Sequence, residues 1–225
     1  APQPLGYKAT VSAPWIHAIA LTELADHVTR PGARVLDVGC GSGIMMAYFY
    51  HMALDAAGLA KVKDQSVAGL PPDVRIVGIE AVRPLSEMSL ANLAKAGLGD
   101  RRGLVVRHGD GWRGFPEFGP FDAIHVGAYA DDVPPSLVSQ LKPGGRMILP
   151  VGEHMKQQFT RVDKDLNGVV TTSKCCDVRF VPLKKQRVLP TPPVASYAVD
   201  WDARYRKGWA YGKEPNAFLV TAFRK

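Results

Sequence analysis

The stretch VLDVGCGSG, residues 35–43, decides the fold. A short run of β-branched and aliphatic residues carries one acid, Asp37, and ends in three alternate glycines, Gly39, Gly41 and Gly43. Immediately afterwards IMMAYFYHMALDAAG has the length and composition of a helix and closes at Gly58. A buried strand that turns through glycines into a helix brings free backbone N–H groups to a place where Cβ atoms do not obstruct a ligand.

Outward from this unit the pattern repeats. Upstream, His17, Leu21, Leu24 and Val28 recur at helical spacing and predict a helix over about residues 14–28. Ahead of it, GYKATVSAPWIHA reads as a loop, with Ser12 as a helix N-cap and Pro14 in the first turn. Downstream, VRIVGIE reads as a strand, RPLSEMSLANLAKAG as a helix, and GLVVRHGD and FDAIHVGA as strands. PPSLVSQLKPGG reads as a short helix with a Pro-Gly stop, followed by the strand RMILPVG. Residues 59–73 lack a period and read as a loop insertion at the end of the sheet away from the glycines. Residues 157–183 read as two antiparallel strands around the turn DLNG.

Apolar strands alternating with helices specify an α/β fold: a doubly wound, mostly parallel sheet finished by an antiparallel strand. Residues 1–187 are expected to form this domain, and residues 188–225, which begin with the linker LPTPP, a basic extension of unknown role.

The glycine spacing also narrows the ligand. G-x-G-x-G differs from the G-x-G-x-x-G of dinucleotide folds, and Asp37 within the motif would repel a diphosphate. A cationic ligand with an amino group, a carboxylate and no phosphate suits it better, and S-adenosylmethionine has this constitution. Glu80 ends the second strand, where an acid can accept both ribose hydroxyls. Asp110 and Gly111 follow the third strand, within reach of an adenine amino group. The acid lies 37 residues beyond Gly43, against roughly 20 from the glycine turn in dinucleotide folds, and the insertion at 59–73 accounts for the excess.

Composition sets the outer bounds. The chain has 225 residues, 46% hydrophobic and 22% charged, which suits a globular domain with a real core. No apolar run reaches membrane-spanning length, so no membrane association is expected. Cys40, Cys175 and Cys176 make no disulfide framework, which points to a reducing, cytoplasmic setting. No metal-ligand cluster is visible, and the sequence begins at Ala1, leaving room for native residues ahead of it. The net charge of +7 resides from Lys174 onward, where 11 Lys and Arg face 4 Asp and Glu. The remainder carries 17 of each sign, so the body of the domain is neutral and a nucleic-acid partner is not expected.

With these residues in view, the sequence resembles the protein-L-isoaspartate (D-aspartate) O-methyltransferases. The likeness is carried by GYKATVSAP, VLDVGCGSG, GDGWRGFP, PFDAIHVGA, LKPGGRMILPVG and FVPL, between about residues 5 and 183. The glycine motif is common to class I S-adenosylmethionine-dependent methyltransferases, whereas ATVSAP, GDGWRGFP and FVPL are particular to this family. The resemblance implies methyl transfer from S-adenosyl-L-methionine to the free carboxylate of L-isoaspartyl and D-aspartyl residues in damaged proteins, with S-adenosyl-L-homocysteine as product. The ester then closes to a succinimide, whose hydrolysis regenerates some normal aspartate.

It further implies that Ser12 is the active-site residue, with Ala9, Thr10 and Val11 beside the cofactor and His17 near the same pocket. Val181 and Leu183, on the FVPL strand, are the implied substrate-side residues. Ser12 is expected to orient a carboxylate already ionised near neutral pH, and the chain to work as a monomer on isoaspartyl proteins and peptides. Family members usually carry a longer segment ahead of GYKATVSAP, the tail from Val188 has no counterpart, and Trp15 stands where a polar or smaller aromatic residue is common. Two rival readings remain: a methyltransferase of another acceptor such as RNA, and a non-catalytic cofactor-binding adaptor for damaged proteins.

Overall fold

The computed structural model describes residues 2–59, 70–71, 73–99, 103–153 and 155–184. The extension 188–225 and most of the 59–73 insertion lie outside them. Strands β1 (Gln3–Gly6) and β2 (Ala9–Val11) precede helix α1 (Pro14–Val28). Then come β3 (Arg34–Val38), α2 (Ile44–Ala56), β4 (Arg75–Glu80), α3 (Arg83–Lys95), β5 (Leu104–His108) and β6 (Phe121–Val126). A short helix α4 (Pro135–Ser139), β7 (Leu141–Glu153), β8 (Lys156–Lys164) and β9 (Val170–Val178) complete the order.

Seven strands form one sheet in the order β5-β4-β3-β6-β7-β8-β9. The pairs from β5 through β7 are parallel, and β8 runs antiparallel between β7 and β9. The chain runs outward from β3 to β4 and β5, then returns to β6 on the other side of β3. That reversal opens a crevice beyond the carboxyl ends of β3 and β6, where doubly wound folds bind ligands.

Strand alternation assigns the two faces of the sheet. Val35, Ile76, Val106, Ala123 and Ile148 pack with Leu21 and Leu24 of α1 and Met46 and Phe49 of α2. Leu36, Val38, Val77, Ile124 and Met147 pack on the other side with Leu137 of α4 and with Trp112, Phe115 and Phe118. Helix α1 forms where its apolar stripe predicts, burying Ile16, Ala20, Leu21, Leu24 and Val28. It starts at Pro14, whose fixed φ suits the first turn.

Four local expectations are corrected. The opening loop is a hairpin, β1–β2, whose two central residues, Tyr7 and Lys8, have φ of 52° and 60°. Ser12 is not the N-cap of α1: Ala13 holds that position without a side-chain cap bond. Helix α4 stops at Ser139 and β7 begins at Leu141, before the Pro-Gly pair. There the Gln140 amide ties the helix end to the turns before it: its Nε2 donates to Ser136 O and Arg113 O, and its Oε1 accepts from Phe115 N. Finally, FVPL is not a strand of the main sheet. β9 ends at Val178, and the segment leaves to bridge Tyr129, whose N donates to Val181 O and whose O accepts from Leu183 N. The hairpin around DLNG forms as expected, with Asp165 Oδ1 accepting from Asn167 N and Val169 N.

Candidate active site

At the crevice lies an open cavity of about 550 Å³, including its solvent-facing mouth. Its floor comes from the ends of the central strands: Gly39 and Gly41 after β3, Ile79 and Glu80 on β4, Gly111 after β5, Gly127 and Ala128 after β6. One wall is the hairpin, through Leu5, Ala9 and Thr10, and the opposite wall is Val181, Pro182, Leu183 and Lys184. Two segments at opposite ends of the domain thus meet over one cavity.

Gly39, Gly41 and Gly43 all have left-handed backbone, with φ of 72°, 54° and 83°, a region that a Cβ atom penalises. Gly43 is the N-cap of α2, so the turn delivers the helix N-terminus beside the cavity. Gly111 is required for a different reason. A Cβ there would lie 2.7 Å from Val38 Cγ1 and 3.2 Å from Leu183 Cδ1, so close approach of two walls demands hydrogen at that point.

The Glu80 carboxylate is the acidic group of the floor. Its Oε2 accepts from Gly41 N and its Oε1 from Val82 N, both at 3.0 Å. Burial raises its pKa, and these two amides and the Lys184 charge offset that only in part. Each oxygen keeps lone pairs for a further donor, so Glu80 can accept a vicinal pair of hydroxyls. Asp110 caps the short 3₁₀ turn at 111–113 by accepting from Trp112 N at 3.0 Å, and it stands beside Gly111 at the cavity's edge.

Of the predicted residues, the cavity collects Ala9, Thr10, Gly39, Gly41, Glu80, Gly111, Val181 and Leu183. Val11 is buried and packs with Leu5, Val82 and Leu85 behind the hairpin. Ser12 is half-buried between β2 and α1, with no hydrogen bond to its hydroxyl among the described residues. Val11, Ser12, Gly43, Asp37, His17 and Asp110 are outside the lining itself, Ser12 two residues beyond Thr10. Asp37 is 1% exposed and lies behind the floor, on the α2 face of β3. Its Oδ1 is 2.7 Å from His125 Nδ1, and Oδ2 has no partner among the described residues. His17 is a buried helix residue whose ring meets Tyr48 edge-on, and burial, helped by His125, lowers its pKa to about 3. It is therefore neutral at physiological pH.

The lining suits S-adenosylmethionine. Backbone amides at the α2 N-terminus match a carboxylate, Glu80 matches ribose hydroxyls, and the glycine-lined floor leaves space that Cβ atoms would fill.

Comparison with known proteins agrees with this geometry. The profile of the family described as Protein-L-isoaspartate(D-aspartate) O-methyltransferase matches residues 1–188. The chain belongs to that family. Protein-L-isoaspartate O-methyltransferase 2 of Arabidopsis thaliana is 40% identical over 185 residues, covering 81% of this chain and 54% of the plant protein. The Triticum aestivum protein-L-isoaspartate O-methyltransferase is also 40% identical, with 81% and 72% covered. A Plasmodium falciparum protein assigned to the protein-L-isoaspartate O-methyltransferases, solved with S-adenosyl-L-homocysteine, superposes with a TM-score of 0.65. It is 31% identical and covers 82% of this chain and 80% of its own. The class I S-adenosylmethionine-dependent methyltransferase fold and the family's use of S-adenosylmethionine follow from this membership.

Leu5, Trp112 and Lys184 are among the residues of this site that were not singled out in the sequence. Leu5 lines the cavity from a hairpin that the sequence does not signal. Trp112 donates from Nε1 to Leu183 O at 2.9 Å and so fixes the wall formed by residues 181–184. Its place in GDGWRGFP, between two glycines, was the available sign. Lys184, directly after FVPL, brings a cation to the cavity, and its Nζ donates to Tyr7 O at 3.0 Å.

Proposed function

We propose that this chain repairs damaged proteins by methylating the free carboxylate of their L-isoaspartyl and D-aspartyl residues. The observation that carries the proposal is the cavity itself. Glycine turn, Glu80 and Gly111 form its floor, and the two family-particular segments, around Thr10 and Val181–Leu183, form its walls.

When bound, S-adenosylmethionine supplies an electrophilic methyl group and leaves as S-adenosyl-L-homocysteine. The acceptor carboxylate is already ionised, so the protein need remove no proton. Glu80 would accept from the ribose hydroxyls, and the amides at the start of α2 would receive the amino-acid carboxylate. The Ser12 hydroxyl donates to the acceptor carboxylate and aims one oxygen along the line of attack. The apolar walls at Leu5, Val181 and Leu183 exclude water, so alignment and desolvation supply the rate. Ser12 is not a nucleophile in this scheme, because a hydroxyl needs an adjacent base and neutral His17 is placed in the core.

We infer that the chain acts as a monomer in a reducing cytoplasmic compartment. All three cysteines are free thiols, Cys40 buried and Cys175 exposed, which supports the reducing compartment. Among the described residues no helix is long and apolar enough to cross a membrane.

Incubating the protein and labelled methyl donor with fresh protein, the same protein after ageing, and transfer RNA tests the proposal. Label is expected chiefly in the aged protein. Label confined to the RNA would replace the proposal with the RNA reading, and label in none would favour the adaptor.

A further inference from the structure

Two charged side chains line the cavity, and they face different tasks. Glu80 is fastened to the floor by two amides. Lys184 stands at the end of the substrate-side wall, half-buried, one residue beyond Leu183. Its ammonium has three protons to donate, and among the described residues it gives one, to Tyr7 O. No carboxylate among the described residues comes within ion-pair distance of its Nζ, Glu80 included. Its charge is felt by Glu80 across the floor, but no described carboxylate is in contact with it, so an incoming anion can still pair with it directly.

We propose that Lys184 is a specificity-determining residue that captures the carboxylate of the acceptor. The inference rests on the carboxyl-methyltransferase reading above and deepens it.

Three features favour the acceptor over the donor as the anion. The donor's own carboxylate has a neutral receptor in the amides of α2, beside Gly43, at the glycine turn. Lys184 instead continues the segment carrying Val181 and Leu183. And its tether is a backbone oxygen at the tip of the hairpin, between β1 and Thr10, so the ammonium spans the gap between both walls. In that position it does two things at once. It draws a carboxylate between the walls, and it leaves an uncharged carboxamide, as in asparagine, without the Coulombic part of the attraction. Ser12 then orients what Lys184 has attracted.

The test uses the whole chain and three variants of one position: Lys184→Met, Lys184→Arg and Lys184→Gln. Steady-state rates with an isoaspartyl peptide are measured at low and high salt, and S-adenosyl-L-homocysteine binding is measured by calorimetry. In Lys184→Met and Lys184→Gln the KM for peptide should rise about tenfold, the size of one charge-assisted hydrogen bond. The increase of KM with salt should flatten. Affinity for S-adenosyl-L-homocysteine should stay within about twofold, which also shows that the variants are folded, and Lys184→Arg should recover most of the peptide KM.

An unchanged KM and salt dependence in Lys184→Met would overturn the inference. So would a loss of S-adenosyl-L-homocysteine affinity restored by Lys184→Arg, which would assign the cation to the donor. If wild-type protein fails to methylate the isoaspartyl peptide at all, it is the underlying reading that fails.

Discussion

Glu80 carries opposing demands on one carboxylate. Burial favours its protonated form, while Gly41 N, Val82 N and the cavity's ligand require acceptor oxygens. Burial wins, so its pKa stands above the ordinary carboxylate value. Affinity for S-adenosyl-L-homocysteine should therefore weaken as pH falls, beginning above the range of an ordinary glutamate. Glu80→Gln should bind less tightly at pH 7 and lose most of that pH dependence, both read by calorimetry. Ser12→Ala should lower kcat on an isoaspartyl peptide about tenfold or more and leave S-adenosyl-L-homocysteine affinity within about twofold. Gly111→Ala should cost about 1–3 kcal/mol in urea unfolding, from overpacking against Val38 and Leu183. The place of Gly39, Gly41, Gly111 and Glu80 around the cavity was legible in the sequence because strand ends in doubly wound sheets open onto the crevice. Asp37 shows the limit. Alternation within a strand says that Asp37 shares a face with Val35, but only the packed structure shows that face turned toward α2 and His125.

At the scale of elements, boundaries were legible where a stripe or a turn residue marked them. Helix α1, β3 and the β8–β9 turn are cases of this. The β1–β2 hairpin was not, because its turn residues are Tyr7 and Lys8 and not the Asn-Gly or Asp-Gly pairs that tolerate positive φ. What holds it is long-range: Leu5 and Val11 pack on Val82 and Leu85, and Lys184 ties Tyr7. Helix α1 also carries a pH signature. His17 stays neutral down to about pH 3 when folded but titrates near 6.5 when unfolded. Its stabilising contribution is thus complete above pH 6.5 and is lost as pH falls toward 3, where both states are protonated. Between pH 7 and 5 the protein should lose about 2 kcal/mol from this group. Urea titrations of wild type and His17→Leu at both pH values check this, and the variant should show a smaller loss.

For the whole molecule, the topology does most of the work of building the site. Reversal of strand order at β3 places Gly39, Glu80, Gly111 and Gly127 around one crevice although they span nearly ninety residues of sequence. The alternation of strands and helices predicted the doubly wound sheet, with the glycine turn, Glu80 and Gly111 at its strand ends. It did not show that the first and last described segments close over the crevice, because nothing in either segment's own pattern refers to the other. Their junction, Lys184 to Tyr7, is 177 residues long in sequence separation and one hydrogen bond in space.

The most direct measurement is transfer of labelled methyl to two peptides of identical composition, one with L-isoaspartate at a single position and its twin with normal L-aspartate. Label in the isoaspartyl peptide, released as the ester closes to succinimide, and little in the twin is the expected result. Equal labelling of the two, or none in either, would contradict the assignment of this cavity to isoaspartyl repair.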